Sequence, residues 1–400
     1  MSKKHHADVR TPVQGDLPPP DAEAMSHSRK LQKIIGNEVA KNNGRITFSR
    51  FMELALYTPG LGYYSGGSHK FGTEGDFVTA PECSPLFSRC LARQVGQVLG
   101  SLDGGDILEV GAGSGELAAD LLQFLDVDAC LPRYYFILER SAELRERQQA
   151  RLKQRFSHLY DRFVWLEQFP EAGFRGVVLA NELLDSFPVH IFTVTDTGGV
   201  ELYVKGEPGR WQWLPGEPSN IELEERIERL KRDLHLPTGY TSEINLAAEG
   251  WIRSLSDILE TGMILLIDYG FPRHEYYHPQ RSNGTLMCHY RHRSHSDPFI
   301  LVGLQDITAH VDFTAMAEVA MTENLSVAAY TTQAAFLLAN GITEFLNEID
   351  DERTRLEWSQ QIKKLTLPHE MGELFKVLAL TRNLDALPVG FTLRDMRHHL

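Results

Sequence analysis

Residues 107–115 limit the possible fold and function of this chain more than any other segment. Their sequence is Ile-Leu-Glu-Val-Gly-Ala-Gly-Ser-Gly. Its apolar start predicts a buried strand. The glycines at 111, 113 and 115 predict a tight turn, because a Cβ there would block the approach of a ligand to the backbone. Apolar residues at helical spacing follow, from Leu117 to Leu125. Strand, glycine turn and helix in this order are typical of a nucleotide-type cofactor site.

The glycine spacing narrows the choice of cofactor. A dinucleotide site has the pattern G-x-G-x-x-G, and its third glycine would fall at position 116, where the chain has Glu116. A negative side chain at the start of the helix would repel a pyrophosphate. We therefore expect S-adenosylmethionine (SAM), which has no phosphate and has a cationic sulfonium and an amino group. Glu109 is expected to orient that amino end, and Glu139 to accept bonds from the ribose hydroxyls.

Composition excludes several classes of protein. Hydrophobic residues make up 42% and charged residues 24% of the 400 residues, an ordinary globular balance. A net charge of −14 disfavours nucleic acid and anionic membranes as partners. The start of the chain lacks the apolar core of a secretory signal, and no apolar run is long enough to span a bilayer. No zinc site, metal site or disulfide framework is expected, because no C-x-x-C pair occurs among the cysteines, Cys83, Cys90, Cys130 and Cys288. Free thiols indicate a reducing compartment, and we expect a cytoplasmic protein without membrane insertion.

The fold class follows from alternation along the chain. Strands alternating with helices predict an α/β fold, a Rossmann-like parallel sheet with helices on both faces. The predicted strands are 107–110, 134–138, 163–166, 176–180, 263–269, 325–330 and 375–381. The predicted helices are 47–57, 84–99, 116–126, 141–156, 221–234, 243–260, 313–323 and 332–340, with one more from Ser26 to Asn43-Gly44.

The chain is expected to divide into a tail and two regions. Residues 1–25 are polar and proline-rich and are predicted to be disordered. Residues 26–100 are predicted to form a helical cover, and residues 101–400 the cofactor domain. That domain has insertions at about 188–242 and 271–312. The helix at 221–234 is expected to pack on the edge of the domain.

The end of the fourth predicted strand offers groups for a methyl acceptor. Asn181, Glu182 and Asp185 follow it, whereas the Asn-Pro-Pro-Tyr pattern of methyltransferases acting on bases is absent. Two carboxylates suit a cationic acceptor, and guanidinium especially, because its planar fork of donors matches carboxylate geometry. These three residues are the candidate catalytic residues. The alternative is that Asp185 caps a helix and Glu182 is a structural hydrogen-bond acceptor.

Three other polar sites stand beside apolar residues. Asp76 lies in a glycine-rich loop, and Asp268 follows the fifth predicted strand and could face the site. The histidine-rich run at 289–295 has no clear metal-ligand spacing. A mobile surface loop is therefore expected there.

Several segments in order resemble the MidA-type family of class I SAM-dependent methyltransferases, which includes a mitochondrial assembly methyltransferase of respiratory complex I. The matching segments are 57–64, 75–82, 108–115, 180–185, 188–190, 267–271 and 305–313. The resemblance implies a seven-stranded methyltransferase sheet, an N-terminal helical region over the acceptor pocket, and methylation of arginine in a protein substrate. It implies that SAM is bound by Glu109, Gly111, Ala112, Gly113, Gly115, Glu139 and Asn181.

Other functions stay open at this point. The chain could be a non-catalytic SAM-binding assembly factor for a respiratory or other complex. A nicotinamide-dependent oxidoreductase is disfavoured because glycine is missing at position 116, and a nucleic-acid methyltransferase is disfavoured by the acidic composition. A homodimer is compatible with the sequence.

Overall fold

The computed structural model describes residues 17–66, 79–384 and 388–400. Numbered along the chain, its helices are α1 (Ala22–Lys41), α2 (Phe48–Tyr57), α3 (Ala80–Cys83), α4 (Pro85–Ser101), α5 (Glu116–Val127), α6 (Ala142–Arg155), α7 (Ile221–Leu234), α8 (Leu246–Ile258), α9 (Arg273–Tyr276), α10 (Phe313–Thr322), α11 (Gln333–Ala339) and α12 (Glu352–Thr366).

The strands are numbered in the same way. They are β1 (Arg45–Thr47), β2 (Asp106–Val110), β3 (Tyr135–Leu138), β4 (Phe163–Leu166), β5 (Phe174–Asn181), β6 (His190–Thr195), β7 (Gly198–Glu207), β8 (Arg210–Gly216), β9 (Thr241–Ile244), β10 (Leu259–Phe271), β11 (Met287–Tyr290), β12 (Arg293–His295), β13 (Asp306–Thr308), β14 (Val311–Asp312), β15 (Ser326–Thr332) and β16 (Phe375–Arg382).

The main sheet has the strand order β15-β16-β10-β5-β2-β3-β4, and the short β14 pairs with β10. Strands β4, β3, β2, β5 and β10 are parallel, and β16 runs antiparallel to both β10 and β15. All seven predicted strands are in this sheet, so the predicted α/β class is confirmed. The order places the carboxyl ends of β2, β3 and β5 side by side, where open α/β sheets bind ligands.

Helices cover both faces of the main sheet. On one face, α4, α5, α11 and α12 pack against inward side chains of the strands, such as Ile107, Val177 and Leu265. On the other face, α8 and α10 pack against the alternate residues of the same strands, such as Leu108 and Val178. Alternate residues of a strand point to opposite faces. Strands buried on both faces are therefore apolar almost throughout, which explains the unbroken apolar runs in β5 and β10.

The insertions and the first two helices form a second lobe, which we define as α1, α2, residues 58–66 that follow α2, α7, β1, β6–β9 and β11–β13. Strands β1, β7, β6 and β9 form an antiparallel sheet with β8 on β7, and β12, β11 and β13 form another. Apolar side chains of α1 and α2 share one core with both sheets, for example Leu31, Phe51, Val204 and Ile307. Helix α7 has the predicted bounds and packs on the larger sheet through residues such as Ile227.

The structure corrects three local predictions. Helix α1 begins at Ala22, before the predicted Ser26, because the Asp21 carboxylate accepts a hydrogen bond from the Ala24 N–H and caps the helix. The histidine-rich run forms the β11–β12 hairpin instead of a loop. Helix α4 packs on the main sheet, whereas α1 and α2 pack in the second lobe, so residues 26–100 contribute to two cores. Residues 1–16, and with them most of the predicted disordered tail, lie outside the described part.

Two glycines allow the central strands to approach each other closely. A Cβ built on Gly176, whose φ is +147°, would lie 1.8 Å from the carbonyl oxygen of Asp106 in β2. A Cβ on Gly262, whose φ is +140°, would lie 1.9 Å from the carbonyl oxygen of Gly176. Since both contacts are with backbone, neither can be relieved by a change of rotamer.

Replacing Gly176 with alanine should therefore lower the free energy of unfolding by about 1–3 kcal/mol or more, through overpacking and an unfavourable φ. Gly250 in α8 is the matched control, because nothing lies within 4 Å of a Cβ built there. Gly250→Ala should raise the free energy of unfolding by about 0.4–1 kcal/mol. Urea unfolding of both variants measures the difference, and equal effects would contradict this account.

Candidate active site

A cavity of about 1540 Å³ opens at the carboxyl ends of β2, β3 and β5 and extends to the second lobe. Most of the site residues predicted from the sequence line it: Glu109, Gly111, Ala112, Gly113, Glu139, Asn181, Glu182 and Asp185. Its volume exceeds the range of roughly 300–1,000 Å³ that is usual for a single small-molecule ligand. The cavity therefore has room for a cofactor and part of an acceptor together.

The glycine turn after β2 has the conformation that its sequence predicts. Gly111, Gly113 and Gly115 have φ values of +72°, +53° and +78°. These values lie in the left-handed region, which glycine adopts without strain. Gly115 is the N-cap of α5 and does not line the cavity, so the structure brings it near the site without exposing it there.

Glu116 does not have the role that the sequence analysis gave it. Its carboxylate forms ion pairs with Arg151 and Arg155 of α6 and does not line the cavity. The predicted repulsion of a pyrophosphate is therefore weaker than the sequence indicates, because neighbouring arginines offset the charge.

Glu109 lies in β2 just before the turn, and Glu139 directly follows β3; both line the cavity. Glu109 is 3% exposed, and its Oε2 accepts a hydrogen bond of 2.8 Å from the Tyr135 hydroxyl. Burial raises the pKa of Glu109 to about 7. Glu139 accepts bonds from the Ser141 N–H at 2.9 Å and from the Gln148 amide at 3.2 Å. Burial raises the pKa of Glu139 also.

Gln148 links Glu139 to the glycine turn and was not predicted as a site residue from the sequence. Its Nε2 donates to the Gly113 carbonyl at 2.9 Å as well as to Glu139, and its Oε1 accepts from the Trp165 indole at 3.0 Å. Gln148 is fully buried. A glutamine on the apolar stripe of the polar helix α6 was the only available signal, and spacing alone does not show what such a residue contacts.

Strand β5 ends at Asn181, and Glu182 directly after it has a strained backbone conformation. Glu182 has a φ of +50°, which is uncommon for a residue with a side chain. Its Oε1 accepts bonds from the Ala80 N–H at 3.0 Å and from the Asn181 amide at 3.3 Å. Burial raises the pKa of Glu182 to about 8. The buried Oδ1 of Asn181 has no hydrogen-bond partner among the described residues.

Asp185 has one carboxylate oxygen that accepts no hydrogen bond from the described residues. It is 6% exposed, and its Oδ2 accepts a bond of 2.5 Å from the Tyr269 hydroxyl. Its Oδ1 is buried and has no partner within the part of the chain that the structure describes. Burial raises the pKa of Asp185 to about 6. A buried acceptor without a donor is costly, so a ligand that supplies an N–H would stabilise this site.

Asp268 holds the loop after β5 and does not line the cavity. Its Oδ2 accepts hydrogen bonds from the backbone N–H groups of Leu183, Leu184 and Asp185 at 3.1, 2.9 and 3.3 Å. Its Oδ1 accepts from the Tyr269 N–H at 2.9 Å. Asp268, and not Asp185, is therefore the residue that caps this turn. Glu182 does act as a structural acceptor, through Ala80.

The structure also adds residues that the sequence analysis did not assign to the site. Tyr57 and Tyr64 of the second lobe, Tyr269 of β10 and His289 of β11 line the same cavity. The tyrosines belong to segments that carry the family resemblance, but nothing in their spacing shows that they line one cavity with Asp185. Asp76 lies outside the described residues.

A family model for S-adenosyl-L-methionine-dependent methyltransferases matches residues 90–331. The chain belongs to this family. Its cofactor is SAM, which the glycine turn indicated, and its activity is methyl transfer from SAM. The match covers the main sheet from β2 to most of β15 together with both insertions.

Solved structures agree with the family match. A crystal structure from Burkholderia thailandensis with S-adenosyl-homocysteine bound is 43% identical, with a TM-score of 0.91 over 96% of this chain and 100% of that chain. A native structure from the same organism is 42% identical, with a TM-score of 0.89 over the same shares. The fold and the cofactor expected from the sequence are thereby confirmed.

Curated relatives correct one prediction. The mouse protein arginine methyltransferase NDUFAF7, mitochondrial, is 28% identical over 85% of this chain and 82% of its own length. The human protein of the same name is 28% identical over 85% of this chain and 81% of its own length. Because these relatives are named as mitochondrial, the predicted cytoplasmic location is contradicted. No helix in the described ranges is long and apolar enough to cross a membrane.

The raised pKa of Glu182 predicts a pH dependence of stability. Burial moves this pKa from 4.5 to about 8, so the folded protein holds the proton more tightly than the unfolded chain does. The contribution of this carboxyl group to the free energy of unfolding is complete below pH 4.5 and is lost as the pH rises through about 8. Glu182→Gln is neutral throughout, and its free energy of unfolding should fall less with rising pH than that of the wild type.

Urea unfolding at several pH values between about 6 and 8.5 measures this slope. Glu207→Gln is the control, because Glu207 is exposed at the end of β7 in the second lobe and should leave the slope unchanged. Parallel slopes for the wild type and Glu182→Gln would contradict the burial of this carboxyl group.

Proposed function

We propose that this protein transfers methyl groups from SAM to arginine side chains of a protein substrate. The observation that supports this most directly is Oδ1 of Asp185, which is buried in the wall of the cavity and has no hydrogen-bond partner among the described residues. Guanidinium offers five N–H donors in one plane and stays charged at physiological pH, so it can satisfy buried carboxylate acceptors. The curated relatives named as protein arginine methyltransferases support the same acceptor.

The cavity is compatible with SAM beside the glycine turn. We propose that Glu139 accepts bonds from the ribose hydroxyls and that Glu109 faces the amino end, with Gly111, Ala112 and Gly113 forming the backbone cradle. Both carboxylates line the cavity and keep oxygen atoms within reach of it. Asn181 also lines the cavity, and its Oδ1 has no hydrogen-bond partner in the described part of the chain.

Bound SAM supplies an electrophilic methyl group on a sulfonium. In the proposed reaction, one guanidinium nitrogen forms a bond to that carbon while the bond from carbon to sulfur breaks, and the nitrogen then loses a proton. Asp185 and Glu182 would fix the guanidinium so that this nitrogen faces the methyl group, which is mainly a gain in proximity and orientation. Glu182, with a pKa raised to about 8, would be suited to accept the released proton.

Glu139→Gln should weaken the binding of S-adenosyl-homocysteine by roughly 10- to 100-fold, because charge-assisted hydrogen bonds to the ribose hydroxyls are lost. Isothermal calorimetry with S-adenosyl-homocysteine measures the affinity. Glu146→Gln is the control, since Glu146 is exposed on α6, the helix that follows Glu139, and does not line the cavity. Equal affinity in both variants would remove Glu139 from the cofactor site.

Asp185→Asn should lower kcat/KM for an arginine-containing protein substrate by roughly 100-fold or more while leaving S-adenosyl-homocysteine binding intact. Mass spectrometry of the proteome with and without the gene first identifies the methylated arginine, and turnover is then measured on that protein. Glu53→Gln is the control, because Glu53 lines the same cavity but already pairs with Arg50. An unchanged set of methylarginines after removal of the gene would refute an arginine acceptor.

A further inference from the structure

Two tyrosines of the second lobe form an ordered wall in the part of the cavity next to Asp185. The rings of Tyr57 and Tyr64 are stacked, with centroids 5.5 Å apart and planes inclined by 21°. Both residues line the cavity. We call this pair the tyrosine stack.

Each ring is held by its hydroxyl group from a different side. The Tyr57 hydroxyl donates to the carbonyl of Ser186 at 2.9 Å, and the Ser186 hydroxyl lies at 2.9 Å as well. The Tyr64 hydroxyl donates to the carboxylate of Asp306 in β13, at 2.9 and 3.0 Å from its two oxygens. One ring is therefore fixed to the loop that contains Asp185, and the other to the second lobe, so the wall is formed before a substrate binds.

The chemistry of the tyrosine stack favours a cation. Aromatic faces carry partial negative charge and attract cations within about 6 Å of the ring centroid. A phenol that donates a hydrogen bond to a carboxylate gains electron density in its ring. The hydrogen bond to Asp306 therefore makes the face of Tyr64 more attractive to a cation. The neighbouring Asp185, with its buried and unpartnered Oδ1, adds an acceptor for an N–H donor.

A planar cation uses both features at once. Guanidinium can lay its face on a ring while its edge donates hydrogen bonds to a carboxylate. An ammonium group is compact and strongly hydrated and offers no such flat face. A neutral urea group has the same shape as guanidinium but no charge. The site should therefore rank guanidinium first.

We propose that the tyrosine stack binds the guanidinium of the acceptor through its face while Oδ1 of Asp185 accepts from its edge. This inference rests on the proposed function and deepens it. It makes Tyr57 and Tyr64 specificity-determining residues, and it makes the second lobe part of the acceptor site.

The test uses binding, so that it does not depend on turnover. Calorimetry on the full chain saturated with S-adenosyl-homocysteine compares Nα-acetyl-arginine N-methylamide with its citrulline and lysine analogues. The wild type should bind the arginine probe in preference to both. Absence of this preference in the wild type would overturn the proposed function together with the inference.

The variants then test the tyrosine stack alone. Tyr57→Leu and Tyr64→Leu should each weaken binding of the arginine probe by roughly 3- to 30-fold and reduce the preference over citrulline, with S-adenosyl-homocysteine affinity unchanged. Tyr64→Phe keeps the ring and loses only the hydrogen bond to Asp306, so it should weaken binding of the arginine probe less than Tyr64→Leu does. If the wild type prefers arginine and both leucine variants retain that preference, the inference fails and the proposed function stands.

A measurement on the wild type covers the case in which the leucine variants do not fold. With S-adenosyl-homocysteine bound, the δ-methylene protons of the arginine probe should show transferred nuclear Overhauser effects to tyrosine ring protons. A bound probe without such effects would overturn the proposed contact.

Discussion

The carboxylate of Asp268 fixes the loop on which the candidate acceptor residues stand. One of its oxygens accepts the backbone N–H groups of Leu183, Leu184 and Asp185, and the other accepts that of Tyr269. Asp268 is 1% exposed, so these bonds form where water does not compete. The loop that they hold begins with Glu182 in a left-handed conformation. A strained backbone conformation persists only where surrounding contacts hold it in place, and the hydrogen bonds to Asp268 supply several of these contacts.

The same loop joins the main sheet to the second lobe. The Ala309 N–H, next to β13, donates to the Asp185 carbonyl at 2.9 Å, and the Tyr57 hydroxyl donates to the Ser186 carbonyl at 2.9 Å. On its other side, the N–H of Ala80 in α3 donates to Glu182 at 3.0 Å. Groups from segments far apart in the chain therefore meet at one point.

Buried carboxyl groups dominate the electrostatics of the cavity. Burial raises the pKa values of Glu109, Asp185 and Glu182 to about 7, 6 and 8. Each group is therefore held in surroundings that disfavour its charged form. A bound cation would offset this penalty and favour ionisation. The cofactor has a sulfonium and an amino group, and the proposed acceptor has a guanidinium, so the charges of the ligands complement those of the cavity.

The main sheet and the place of the cofactor could be predicted from the amino-acid sequence. Short continuous apolar runs bounded by turns are typical of strands buried on both faces, and the glycines after β2 permit a turn that a ligand can approach. Strand β4 has the predicted bounds, whereas β10 extends beyond them to Leu259 because neighbouring strands continue to pair with its polar and glycine residues. The strands of the insertions and helix α12 were missed. Strands β6, β7 and β8 contain several apolar residues, but their burial depends on partners far away in the chain.

The roles of individual polar residues depend on contacts that form only in the folded chain. Glu116 pairs with α6, Asp268 caps a turn, and the tyrosine stack reaches the loop beside Asp185 from a separate lobe. Periodicity shows which residues are buried and on which element they lie. It does not show which side chains from distant elements come within hydrogen-bond distance, because that depends on how the two lobes pack against each other.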